Sequence, residues 1–331
     1  MVDIEMDQKT IPRIGLIGCG RIGSLWDEQT DTGYSKTHAK AYYKKTPQSL
    51  QVCIDLSEDR ALATAKKWNF TNATTELKKA LEQPLDIISI CTPVETRLDQ
   101  LSLIHQMQPQ AILLVEKPFA MDLHEGEQLL DILKNQRTVF LNYSRRFAPG
   151  IQQLQKRILA GELGQLQAGH GYYGNGLLNN GSHMINLIDY LVPDIQSAQL
   201  MARTFDNRDL DPTLSFHLKT SSLKSIQIQG LDHQKMTVFE LDLVFTKGRV
   251  RLSERGEKIE IFKIENDPVY TGFKIPVLKE TFSGRLNDSM DQLICEAIGL
   301  FKGEKTTPSC QPQDSIKTLK LIEQIRSQYV S

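Results

Sequence analysis

Apolar residues follow two different rhythms along this chain. In the first half they come as short continuous runs: Ile14, Leu16 and Ile17, then residues 50–54, 85–91, 111–115 and 138–141. Runs of that kind suit strands buried on both faces of a parallel sheet. Between them, apolar positions recur at helical spacing. Residues 37–45 read as a helix, and Ser57 can cap another that carries Ala61, Leu62, Ala65 and Trp68. A short helix is expected at 75–81 and a longer one at 95–108. Asp122 and Glu125 have the spacing of a capping box, ahead of Leu129, Leu130, Ile132 and Leu133. Strands alternating with helices predict an α/β unit built on a doubly wound parallel sheet.

From about residue 149 the rhythm changes. Ile151, Leu154, Ile158 and Leu159 mark an amphipathic helix that Gly161 can close. Extended segments then dominate, at 213–218, 225–229, 238–245, 250–252 and 259–264, with a hairpin turn at Lys247-Gly248. Two helices end the chain, one through Met290, Leu293, Ile294 and Phe301, the other through Ile316, Leu319, Ile322 and Ile325. This pattern predicts an α+β domain with an open, mostly antiparallel sheet. The expected division is 1–148 for the first domain and 149–331 for the second.

The first strand runs straight into Gly18-Cys19-Gly20-Arg21-Ile22-Gly23. In this G-x-G-x-x-G spacing Gly18 permits a tight turn, Gly20 lets a pyrophosphate approach the backbone, and Gly23 lets helix and strand pack closely. A helix N-terminus following such a turn offers free N–H groups to phosphate. Asp55 ends the second strand, where a carboxylate binds a ribose 2′-hydroxyl and repels a 2′-phosphate. NAD is therefore expected rather than NADP, although Arg60, one turn further on, offers a charge that a phosphate would welcome. Gly23 and Asp55 stand further apart than the roughly 20 residues usual for the motif. The excess falls at residues 25–36, a polar insertion with Trp26, Asp27, Glu28 and Tyr34 that reads either as a solvated loop or as a cover for the site.

Composition narrows the partners. With 331 residues there is room for two cores, and a net charge of −1 gives no electrostatic footprint for nucleic acid or an anionic membrane. No apolar run approaches the roughly 20 residues of a membrane span, and the acidic start of the chain is unlike a signal peptide. The five cysteines lack C-x-x-C spacing. They fit reduced cytoplasmic thiols, with neither a disulfide framework nor a metal site.

In order along the chain, the glycine motif, Asp55, Thr92-Pro93, Glu116-Lys117-Pro118, Arg145-Arg146-Phe147-Ala148-Pro149, Gly161-Glu162-Leu163-Gly164, Asn179-Asn180-Gly181-Ser182-His183 and the Lys247-Gly248 hairpin together resemble the glucose–fructose oxidoreductase/inositol dehydrogenase (Gfo/Idh/MocA) family. The resemblance implies hydride transfer between a nicotinamide and a secondary alcohol carbon of a sugar, cyclitol or nucleotide sugar. Its alternatives are an NADP-linked carbonyl reductase and a non-catalytic dinucleotide-bound regulator. It places Gly18, Gly20, Arg21, Ile22, Gly23, Asp55, Thr92, Pro93, Glu116 and Lys117 at the cofactor. Lys117 and His183 become the chemical pair, Asn179 orients the histidine, and Asn186, Arg146 and Tyr173 face the substrate. A homodimer or homotetramer, assembled through the open face of the second sheet, is expected on the same ground. Without that context Glu116-Lys117-Pro118 reads as a strand end, His183 as a core or capping histidine, and Tyr172 and Tyr173 as core aromatics.

Three departures stand out. Asn179 and Asn186 replace the acids usual four residues before and three after the histidine, Arg97 stands where a histidine is common, and the insertion follows the glycine turn. An amide orients an imidazole but supplies no charge, so a less basic His183 is expected than in acid-bearing relatives.

Overall fold

The computed structural model describes residues 11–29, 32–204 and 210–329. The acidic start of the chain and positions 30–31 of the insertion lie outside the described residues. In chain order the first half contains β1 (Ile14–Ile17), α1 (Trp26–Gln29), α2 (His38–Lys45), β2 (Leu50–Ile54), α3 (Glu58–Trp68), β3 (Asn72–Thr74), α4 (Leu77–Ala80), β4 (Ile87–Ile90), α5 (Arg97–Met107), β5 (Ile112–Glu116), α6 (Leu123–Ile132) and β6 (Thr138–Asn142). The second half contains α7 (Pro149–Leu159), β7 (Leu166–Gly174), α8 (Ser182–Leu191), β8 (Ile195–Arg203), β9 (Leu214–Thr220), β10 (Ser225–Leu231), β11 (Phe239–Phe245), β12 (Gly248–Ser253), β13 (Lys258–Asn266), β14 (Lys274–Ser283), α9 (Ser289–Lys302) and α10 (Pro312–Tyr329).

The first sheet is parallel throughout, in the order β3-β2-β1-β4-β5-β6. All residues of β1, β4 and β5 are buried, as their unbroken apolar runs require. The strand order reverses between β1 and β4, and ligands of open α/β sheets bind at such a reversal. The short β3 has too few residues to show a pattern in sequence.

The second sheet has eight strands, in the order β14-β13-β12-β11-β7-β10-β9-β8. Every pairing is antiparallel except β7 with β10. Alternate residues of β9 to β13 point to one face, where they pack with α7, α8 and α10 into a single core. The opposite face carries an Arg249–Asp242 ion pair, with Arg251 at 3.6 Å from the same carboxylate, around a hollow of about 440 Å³. The sequence rhythm gives no sign of the central β7. Its Gly169 and Gly171 sit where a Cβ would meet Leu243 at 2.8 Å and the Glu240 carbonyl oxygen at 2.7 Å, so neighbours cover the strand in place of its own side chains.

By contact the chain forms two compact units, and no single cut in the sequence separates them. The first takes the described residues up to Asn142 together with Met290–Pro312, the second Tyr143–Ser289 and the described residues from Gln313. Within the first unit the returning segment lends its Cys310 carbonyl to the Leu141 amide of β6 at 3.1 Å.

Candidate active site

In the first unit the three motif glycines have separate physical tasks. Gly18 has φ +91°, and a Cβ there would lie 2.9 Å from the Cys91 carbonyl carbon and 3.0 Å from the Thr92 nitrogen. Gly23 packs so closely that a Cβ would stand 2.0 Å from the Gly18 carbonyl oxygen. Gly20 has nothing within 4 Å of its Cβ position. The turn is thus closed on the protein side by Gly18 and Gly23 and open at Gly20, the form of a cradle for a phosphate. A five-residue π-helix, Arg21–Leu25, continues from it into α1. Arg21 is exposed and Ile22 half-buried.

Asp55 is buried beside this turn. Its Oδ2 accepts from the Cys19 amide at 2.9 Å, while Oδ1 accepts from the Ser57 amide at 2.9 Å and from Arg60 at 2.8 Å. Burial works to raise its pKa. The Arg60 guanidinium and the two amides more than reverse that, so the carboxyl is held below its ordinary value. A carboxylate has about four acceptor positions, and Oδ2 keeps one for a ribose hydroxyl. The inserted segment is tied down from inside. Buried Asp27 accepts from the Lys36 and Thr37 amides, both at 2.8 Å, and from the Thr37 hydroxyl at 2.9 Å, fastening the segment to the start of α2.

Thr92 and Pro93 lie just beyond β4, the neighbour of β1, and Glu116 and Lys117 at the end of β5, the next strand out. Thr92 and Lys117 are half-buried and Pro93 is exposed. Glu116 belongs to a buried polar chain. His38 Nε2 lies 2.9 Å from Glu116 Oε1 and the Asn142 amide donates to the same oxygen at 2.6 Å. On the other side, His38 Nδ1 is 3.2 Å from Ser89 Oγ, which is 2.9 Å from the Tyr42 hydroxyl. Burial pushes Tyr42 above its ordinary value, so its hydroxyl keeps its proton. One direction satisfies every member: Tyr42 donates to Ser89, Ser89 to Nδ1, and Nε2–H to Glu116. Burial tends to raise the Glu116 pKa, but the bonds from His38 and Asn142 and the attraction of Lys117 leave it lowered.

In the second unit Asn179 lies within a π-helical segment, Gly176–Gly181, that runs straight into α8, and His183 is the second residue of α8. The Asn179 side chain donates to the Asn175 carbonyl at 3.1 Å. Its own amide, with that of Leu178, is held by Asp211 at 3.0 and 2.7 Å. His183 is half-buried and meets the Tyr143 ring edge-on, with centroids 5.6 Å apart. Asn186 follows one turn later but is 1 % exposed. Its oxygen accepts from Arg146 Nε at 2.7 Å and its nitrogen donates to Thr318 at 3.1 Å. Arg146 is buried, paired with Asp314 at 3.2 Å, and stacked over Tyr190. Tyr173 has no exposed surface and exchanges two hydrogen bonds with the backbone of Leu214. Expected as substrate-facing residues, Asn186 and Tyr173 are enclosed here among protein groups, and in this arrangement Tyr173 presents no ring to a ligand.

The comparisons with known proteins bear on this geometry. Residues 12–143 match the Gfo/Idh/MocA description "oxidoreductase family, NAD-binding Rossmann fold". That segment is thus similar to the nucleotide-binding part of Gfo/Idh/MocA oxidoreductases. Among curated relatives, scyllo-inositol 2-dehydrogenase (NAD(+)) of Bacillus subtilis (strain 168) is 27% identical over 156 residues, 46% of this chain and 42% of that protein. Myo-inositol 2-dehydrogenase of Thermotoga maritima is 23% identical over 155 residues, 46% of this chain and 42% of its own. The match thus spans less than half the length of either relative. Over the whole chain, a levoglucosan dehydrogenase solved with NADH and levoglucosan superposes with a TM-score of 0.78 at 16% identity, covering 96% of this chain and 97% of that one. An oxidoreductase domain protein from Kribbella flavida gives 0.80 at 13%, covering 97% of each chain. At such identities these two structures establish the fold alone.

In residues 12–143, then, the open position at Gly20 and the remaining acceptor on Asp55 fit a dinucleotide's pyrophosphate and adenosine ribose. Sequence reasoning missed His38, Tyr42, Ser89 and Asn142. They lie on different elements, and the only local sign was a histidine directly after the capping Thr37 of α2, whose hydroxyl accepts from the Lys40 amide.

Proposed function

We propose that this chain is an NAD-dependent dehydrogenase acting on a secondary alcohol carbon of a cyclitol or sugar. The observation that carries the reading is Asp55, a buried carboxylate bonded to the amide inside the glycine turn. It pairs a 2′-hydroxyl acceptor with a phosphate cradle and disfavours a 2′-phosphate. A bound nicotinamide would supply or accept the hydride. Lys117 follows the buried Glu116 at the end of β5, and its ammonium stabilises the alkoxide that develops as the hydroxyl proton leaves. His183 takes that proton on a ring nitrogen. Asn179, bonded to the Asn175 carbonyl, steadies the π-helical segment that leads into α8 and its histidine. The inositol dehydrogenases among the relatives point to a ring of secondary alcohols as the substrate class. Assembly through the outer face of the second sheet belongs to the same proposal, and light scattering on the purified protein tests it.

Turnover decides the reading. The protein is mixed with NAD⁺ or NADP⁺ and a panel of inositols, free sugars and nucleotide sugars, with His183→Ala as control. NAD-linked turnover lost in the variant is expected. Tight NADH binding with no turnover would favour a dinucleotide-bound regulator.

A further inference from the structure

Arg97 is the most deeply buried cation among the described residues, 1 % exposed at the first position of α5. A cation there opposes the helix dipole, and burial lowers its pKa to about 10, against the pull of Glu116. It nevertheless stays charged near neutrality, so the fold carries an unfavourable placement for some return. The return is visible in its partners. Nη1 donates to the Glu116 carbonyl at 2.5 Å and to the Pro118 carbonyl at 3.0 Å, while Nη2 donates to the Thr92 carbonyl at 2.9 Å. One planar guanidinium thereby grips the backbone on both sides of Lys117 and ties it to the loop after the neighbouring strand.

We propose that Arg97 is a positioning residue for Lys117: its fork fixes the peptide units on either side of the lysine against Thr92, while His38 and Asn142 fix the Glu116 side chain from the opposite direction. Lys117 then extends from a segment clamped at both flanks, and Thr92 is set in the same act. The inference rests on the reading of Lys117 as a group acting on the substrate hydroxyl, but the clamp is measurable without turnover.

The test compares Arg97→Lys and Arg97→Ala with the wild type. Lysine keeps the charge but lacks the planar fork, so a purely electrostatic role predicts a near-normal Arg97→Lys protein. The clamp predicts amide hydrogen exchange at least tenfold faster in peptides spanning 92–96 and 116–121, with β1 and β2 unchanged and NADH affinity within about threefold of wild type. On a substrate that turns over, kcat falls at least tenfold while KM moves little, and guanidinium ion restores part of the activity of Arg97→Ala. Exchange that is unchanged, or raised uniformly across the first unit, overturns the clamp. If the wild type turns over nothing, the functional reading fails while exchange in Arg97→Lys still decides the clamp. If Arg97→Ala does not fold, Arg97→Lys decides alone.

Discussion

At the residue scale the glycine turn separates two tasks that one motif usually merges. Gly20 has φ −73°, which any residue adopts, and open space at its Cβ position. Gly20→Ala should melt within a degree or two of wild type, since substitutions away from packed features change stability by only about 0.5 kcal/mol. It should bind NADH at least tenfold more weakly, because the methyl occupies the phosphate's approach. Gly23→Ala should show the reverse order of damage. Its methyl meets the Gly18 carbonyl, and overpacking of this kind costs about 1–3 kcal/mol. Thermal melts with a NADH titration check both, and equal damage to stability from the two would contradict the division. These glycines were legible in sequence because each answers to a local backbone demand. The His38–Glu116 pair was not, because the bond joins the start of α2 to the end of β5 and neither residue signals it locally.

At the element scale the inserted segment is fastened by one carboxylate. Asp27 holds the Lys36 and Thr37 amides together with the Thr37 hydroxyl, and α2, which carries His38, starts there. Asp27→Ala strands buried donors, and each such loss costs about 1–3 kcal/mol. Denaturant unfolding should register a drop of at least that size; a drop within experimental error would make the insertion an independent loop. The strands show why legibility varied. β1, β4 and β5 announce themselves by continuous apolar runs, because both of their faces are covered. β7 occupies the middle of its sheet yet is coded by glycines, since the side chains of β10 and β11 close over it. Edge strand β14 carries Pro276 inside it, a residue that argues against a strand everywhere except at an edge.

At the scale of the whole molecule two expectations follow from charge and from connectivity. Asp55 and Glu116 are both held below the ordinary carboxylate value. A depressed folded pKa adds stability that is present above the unfolded value, about pH 4, and lost as pH falls through the folded one. Glu116→Gln should therefore lose less stability than wild type between about pH 5 and about pH 3. Parallel acid-unfolding curves would show that the buried pair contributes nothing to that slope. The second expectation concerns Met290–Pro312, which packs with the first unit. A fragment ending at residue 148 should unfold at lower denaturant than the same fragment joined by a flexible linker to 290–312. Equal midpoints would show the returning segment to be dispensable. The change of rhythm near residue 149 revealed two architectures, but periodicity reports an element's own faces and not which partner it covers, so the return of α9 was invisible.

That return also sets an order of assembly during synthesis. Domains commonly fold as units from the N-terminus as they leave the ribosome. Here the nucleotide-binding unit begins first but must wait for Met290–Pro312, which emerges only after the whole of Tyr143–Ser289. The nascent chain therefore carries all six strands of the parallel sheet in a unit still unfinished while Tyr143–Ser289 is made, and the cofactor's site comes to rest on a finished unit only when α10 is about to appear.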